Sequence, residues 1–181
     1  IYPLIIYCIV FAGEIMVVLY GSQYETSGKY FFIMLFNNFL SVVSCYPLLL
    51  ALSKTKEYGV VYLFNFIFLC ILEYGAVRLF ASVESVCIMS VFCLWMRIVI
   101  FMKIISEALK VPFYKIIPYK TISTIIFLSV ITALSIRMLM IVEYNVLSIF
   151  KTLMIFLFVL VMLSRLFKLD YLSIVKPLLN K

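Results

Sequence analysis

Six charged side chains stand inside otherwise apolar runs of this sequence: Glu14, Glu73, Arg78, Arg97, Arg137 and Lys151. A charge at the centre of a bilayer costs at least about 2.5–3.5 kcal/mol, so such groups face a polar interior or one another, and a solute pathway is the chemistry they imply. Arg78, Arg137 and Lys151 lie close enough to a span end to snorkel to the interface instead. Glu14 and Glu73 lack that reach and call for a polar cavity or an ion pair. Glu73 and Arg78 do not pair with each other on one helix, since five residues at 100° per residue leave them about 140° apart. A second polar set, Asn37, Asn38, Ser41 and Ser44, contains the 37/41/44 spacing of a single helix face, which serves either to hydrogen-bond a neighbouring helix or to line a cavity.

The elements that must position these groups follow from composition. Of 181 residues, 67% are hydrophobic and 13% charged, with a mean hydropathy of +1.24. A soluble domain is about 45–50% apolar and 25% charged. The excess fits a bilayer, where a spanning helix uses about 20 apolar residues. Polar clusters divide the chain into six expected spans, near 3–20, 30–52, 58–80, 85–105, 119–141 and 145–165, followed by a tail at 166–181. The expected fold is all-α, a polytopic bundle of six transmembrane helices forming a single transmembrane domain. Pro47 should kink the second span.

The net charge of +7 acquires meaning once located. Lys54, Lys56, Lys103, Lys110, Lys115, Lys120, Arg165, Lys168, Lys176 and Lys181 fall in the second and fourth connections and the tail. The other connections hold Lys29 against Glu25, Glu84 and Glu143. The positive-inside rule then places the basic loops and the C-terminus in the cytoplasm. Tyr20, Tyr24, Tyr30, Tyr58, Tyr62, Tyr114, Tyr119, Tyr144 and Tyr171 at the expected boundaries fit an interfacial belt. The segment KIISEALKVPFYKIIPYK, residues 103–120, reads either as an amphipathic stretch on the cytoplasmic leaflet or as an ordinary basic linker.

Several chemistries drop out. Without histidine there is no Ser-His pair or histidine-ligated zinc. Asp170 stands alone among aspartates, which excludes a paired-aspartate intramembrane protease. There is no glycine-rich phosphate motif. Cys8, Cys45, Cys70, Cys87 and Cys93 are scattered in apolar runs without a CxxC pair, so no disulfide, metal or cofactor is expected. The reading is not an enzyme and not a nucleic-acid binder. The first run contains Glu14 and lacks a basic start, unlike a secretory signal. Beginning at Ile1, the chain is expected to be the tail end of something longer.

Residues 17–80, VVLYGSQYETSGKYFFIMLFNNFLSVVSCYPLLLALSKTKEYGVVYLFNFIFLCILEYGAVRLF, carry a further signal. A helix ending in LYGSQY, a Ser-Gly opening the next, the Lys-rich turn SKTKEYG and Gly75 near the end of the following helix resemble bacterial polysaccharide flippases. These are the O-antigen or repeat-unit exporters of the multidrug/oligosaccharidyl-lipid/polysaccharide superfamily. The basic LKVPFYKIIPYK also looks like that family's. The resemblance implies the last six of about fourteen helices in the bacterial cytoplasmic (inner) membrane. The implied cargo is an undecaprenyl-pyrophosphate-linked oligosaccharide, moved from inner to outer leaflet in polysaccharide and lipopolysaccharide biosynthesis. Arg78, Arg97, Arg137 and Lys151 would then hold pyrophosphate or acidic sugar, and Glu14 or Glu73 would couple an ion. Implied partners are the missing N-terminal lobe, membrane lipids, a polysaccharide polymerase and glycosyltransferases. The competing readings are a drug or lipid II exporter of the same superfamily, and a non-transporting accessory membrane protein.

Overall fold

The protein is described here by a computed structural model covering residues 1–41, 45–112, 119–139 and 144–166. Ser44, Tyr114, Lys115, Pro118, Glu143, Tyr171, Asp170 and the basic tail beyond Leu166 lie outside the described residues. Every described element is helical: α1 Tyr2–Val10, α2 Ala12–Tyr20, a 3-10 turn Ser22–Tyr24, α3 Ser27–Leu35, α4 Asn37–Ser41, α5 Cys45–Ala51, α6 Thr55–Phe80, α7 Val83–Leu109, α8 Tyr119–Leu139 and α9 Val146–Leu166.

Local chemistry sets several of these ends. Pro3 stands in the first turn of α1, where its missing N–H costs nothing. Between α6 and α7 only Ala81 and Ser82 intervene. The Ser82 hydroxyl caps α7 by accepting the Glu84 amide at 3.2 Å, and so tight a turn forces α6 and α7 into an antiparallel pair. Asn145 caps α9 in the same way, its Oδ1 accepting the Leu147 amide at 3.3 Å.

Four of these helices, within Thr55–Phe80, Val83–Leu109, Thr121–Leu139 and Val146–Arg165, are long and apolar enough to cross a membrane. They match the third to sixth expected spans. The first two expected spans do not appear as straight helices among the described residues. Residues 3–20 form α1 and α2, bent by 77° at Phe11, and count as a fifth span only if the pair crosses as one. The stretch 30–52 is divided into α3, α4 and α5, with residues 42–44 outside the description. Pro47 sits near the start of α5, and the break that is described falls at Phe36, between α3 and α4.

Hydropathy is blind to the packing that makes these breaks. Phe11, with no exposed surface, turns into a core with Ile6, Tyr7, Ala133, Ile136 and Phe156 from α1, α8 and α9. Redirected there, α2 crosses α3 so closely that a Cβ on Gly28 would stand 2.7 Å from the Gly13 Cα. A second core joins Cys45 and Leu49 of α5 to Ile98, Phe101, Met102 and Ile105 of α7. Ile105 is completely buried there. Residues 103–109 therefore extend α7, and the leaflet-lying reading of 103–120 fails for its first part. Helices α3 and α4 connect the two cores by packing on α1, α2 and α7.

The glycine crossing gives an asymmetric expectation. Gly28→Ala should destabilise the solubilised protein by roughly 1–3 kcal/mol through overpacking against backbone. Gly13→Ala, whose Cβ would meet nothing within 4 Å, should be neutral or slightly stabilising. Thermal unfolding of the two variants side by side checks this.

Candidate functional site

The bend at Phe11 opens a cleft of about 690 Å³ walled by α1, α2, α3, the first turn of α7 and the end of α8. Four ionisable side chains line it: Glu25 just before α3, Lys29 in its first turn, Glu84 opening α7, and Arg137 in the last turn of α8. Apart from Arg137, these stand at helix starts or in a connection, and the sequence marks them only as loop charges.

Arg137 reaches into the break itself. Its Nη1 donates to the Val10 carbonyl at the end of α1, and its Nη2 lies 3.2 Å from Glu14 Oε1 in the first turn of α2. The geometry suits both helix dipoles. A cation meets the negative C-terminal end of α1, and a carboxylate sits at the positive N-terminal end of α2. Glu14 is 17% exposed and Arg137 51%, so the carboxylate is the sheltered member and the guanidinium also faces the cleft. Of the six embedded charges, Glu14 and Arg137 are the two that the fold brings together. The 77° bend puts Glu14 in the first turn of a helix, not partway along a straight span.

The others occupy separate places. Glu73 of α6 accepts the Ser90 hydroxyl of α7 at 2.7 Å. Arg97 of α7 lies over the Tyr62 ring at 4.3 Å, a cation–π contact across the same helix pair. Arg78 is exposed; its Nε donates to Tyr74 Oη at 3.3 Å, one turn back on α6. Lys151 is exposed on α9. The four cations thus do not converge on a single cavity. Asn37 Nδ2 donates to Met34 Sδ at 3.8 Å and Asn38 is exposed, while the Ser41 side chain and Ser44 lie outside the described residues.

Residue types alone did not single out several polar groups that matter here. Trp95 of α7 donates its indole N–H to the Phe36 carbonyl at 3.0 Å, meeting the α3/α4 break. The buried Tyr7 hydroxyl donates to the Ile149 carbonyl at 2.8 Å and lies 2.7 Å from Thr152 Oγ1, tying α1 to α9. Asn65 of α6 is 5% exposed, and its Oδ1 has no hydrogen-bond partner among the described residues. Aromatic and asparagine side chains in apolar runs look like packing, and only the partner helix gives them a role. No group of three or more His, Cys, Asp or Glu able to hold a metal occurs among the described residues.

Comparison with protein-family models, curated proteins and solved structures returned no match. What the fold defines is a multi-pass helical membrane protein with a charge-lined cleft at a broken helix.

Arg137→Met should leave the Glu14 carboxylate and the Val10 carbonyl without their shared donor. The expected loss is about 1 kcal/mol, below the roughly 1.5–3 kcal/mol of sheltered charged hydrogen bonds because the guanidinium is half exposed. Glu14→Gln in the same background should recover part of it, and a double-mutant cycle on thermal unfolding measures the coupling.

Proposed function

We propose that the chain is the C-terminal part of a membrane transporter, and that its cargo is an undecaprenyl-pyrophosphate-linked oligosaccharide flipped from inner to outer leaflet of the bacterial cytoplasmic membrane. The observation that carries the transport reading is the broken α1/α2 helix with its ends on a charge-lined cleft. Discontinuous helices whose ends face a polar site are how transporters hold charged groups within a bilayer. Irregular backbone at membrane depth is tolerated where protein covers it or where it lines a cavity.

The cargo rests on the resemblance of residues 17–80 to polysaccharide flippases. Under this reading Arg137, with Lys29 beside it in the cleft, meets the phosphates. Glu14, whose carboxylate already exchanges contacts with Arg137, is the ion-coupling group. Glu73, Arg97, Arg78 and Lys151 act outside the cleft, along the path or between helices. The missing N-terminal lobe supplies the opposite wall, the basic C-terminus is cytoplasmic, and a polysaccharide polymerase and glycosyltransferases are the partner enzymes.

One observation favours the accessory reading: Glu14, Glu73 and Arg97 each have an intramolecular partner, which is also what a static bundle requires. Export in cells separates the two. In the complete protein, Glu14→Gln or Arg137→Ala should abolish surface polysaccharide while membrane abundance stays near normal. Export that survives both substitutions sinks the transport role of the cleft, and failure that tracks abundance alone assigns the pair to folding.

A further inference from the structure

The charged cleft continues into a second, apolar hollow. This groove of about 350 Å³ between α3 and α7 is lined by Ile33, Phe36, Ile88, Val91, Phe92 and Trp95, and Ile33 also lines the charged cleft. On α7 the residues Glu84, Ile88, Val91 and Trp95 recur at intervals of four, three and four, so they form one unbroken helix face. Lys29 and Ile33 of α3, with Phe36 just past its end, follow a like succession on the facing wall. Each wall is charged at one end and apolar for the rest of its length.

The length of this strip matches one leaflet. Glu84 to Trp95 spans eleven residues, about 16 Å at the helical rise, and half of a bilayer's hydrocarbon is about 15 Å. Glu84 stands in the first turn of α7, beside the connection that carries Glu25. At the far end, the hydrogen bond from Trp95 to the Phe36 carbonyl joins the two walls and closes the strip. A small polar solute would need only the cleft, and a spanning helix would need a groove running the full membrane depth.

We infer that the cleft and groove together seat one leaflet phospholipid with a zwitterionic amine headgroup. Charge selects the headgroup. Arg137 and Lys29 offer cations for a phosphate, while Glu25 and Glu84, both exposed, offer carboxylates for an ammonium. An anionic lipid such as phosphatidylglycerol brings the same phosphate to the cations, but its neutral glycerol headgroup leaves the two carboxylates without a cation. A primary ammonium, as in phosphatidylethanolamine, also donates hydrogen bonds that a choline headgroup does not. The inference rests on the shape and charge of the cleft, and does not depend on the oligosaccharide cargo proposed above.

Trp95 is the sole tryptophan of the chain and lines the groove, 38% exposed. It therefore reports what occupies that site. The chain is reconstituted in phosphatidylcholine vesicles containing matched mole fractions of dibromo-acyl phosphatidylethanolamine or dibromo-acyl phosphatidylglycerol, whose bromines quench indole on contact. The ethanolamine lipid should quench Trp95 beyond its mole fraction, with a relative affinity roughly two- to fivefold above the glycerol lipid, the span of one exposed ion pair. The double substitution Glu25→Gln with Glu84→Gln should level the two lipids without moving the Trp95 emission maximum. Equal quenching by both lipids in the unsubstituted chain overturns the inference in favour of a nonspecific lipid shell. Preference for the glycerol lipid overturns it in favour of an anionic ligand. No quenching means that protein, a second copy or another segment, fills the groove.

Discussion

In hydrocarbon, a backbone carbonyl that leaves its helix has no water to turn to, and each unsatisfied group costs several kcal/mol. This chain breaks its helices twice within the described residues, at Phe11 and at Phe36, and side chains of the long helices answer both breaks. Arg137 of α8 donates to the Val10 carbonyl, and Trp95 of α7 adds a second donor to the Phe36 carbonyl, which also accepts the Phe39 amide at 3.3 Å. Tyr7 of α1 donates to the Ile149 carbonyl inside α9, tying those two helices together. These bonds cross between elements far apart in sequence, so they fix where α1 through α4 lie against the long helices.

That requirement explains why so much of the polar inventory is structural. Buried hydroxyls in the spans mostly turn back on their own helices: Ser129 donates to the Ile125 carbonyl, Thr132 to Leu128 and Ser164 to Val161. Such bonds satisfy the hydroxyl without leaving the helix. Between α6 and α7, Glu73 with Ser90 and Arg97 with Tyr62 form a polar seam in an otherwise apolar pair. Asn65 is buried in α6, with no hydrogen-bond partner for its Oδ1 among the described residues.

Against that background the cleft at the bend differs in kind. Its charges are mixed in sign, partly exposed and drawn from four parts of the chain, and only Arg137 among them also supports a break. Glu25, Lys29 and Glu84 come from the starts of α3 and α7 and the connection before α3, where polar residues are cheap to place. A site assembled in this way leaves its carboxylates and ammonium available to something outside the chain. The apolar strip that follows gives it a direction, charged at the helix starts and greasy toward the Trp95–Phe36 contact.

Composition by itself determined the membrane setting and the helical class, because apolar runs of this length have no other stable form in hydrocarbon. It also located α6, α7, α8 and α9 closely, since each is one long, predominantly apolar run with polar or charged residues at its ends. Tertiary structure decided the rest. The 77° bend at Phe11 carries no proline and leaves no mark in hydropathy; Phe11 is buried in the α1/α8/α9 core, and Gly28, without a Cβ, lets α3 lie against the α2 backbone at Gly13. For the same reason the sequence named Glu14 and Arg137 but not their pairing, which joins residues 123 positions apart. Nor did it bring Glu25, Lys29 and Glu84 to one cleft. Hydropathy measures what each residue loses in water, whereas the site depends on which backbone groups a bend releases and which side chains stand near enough to take them.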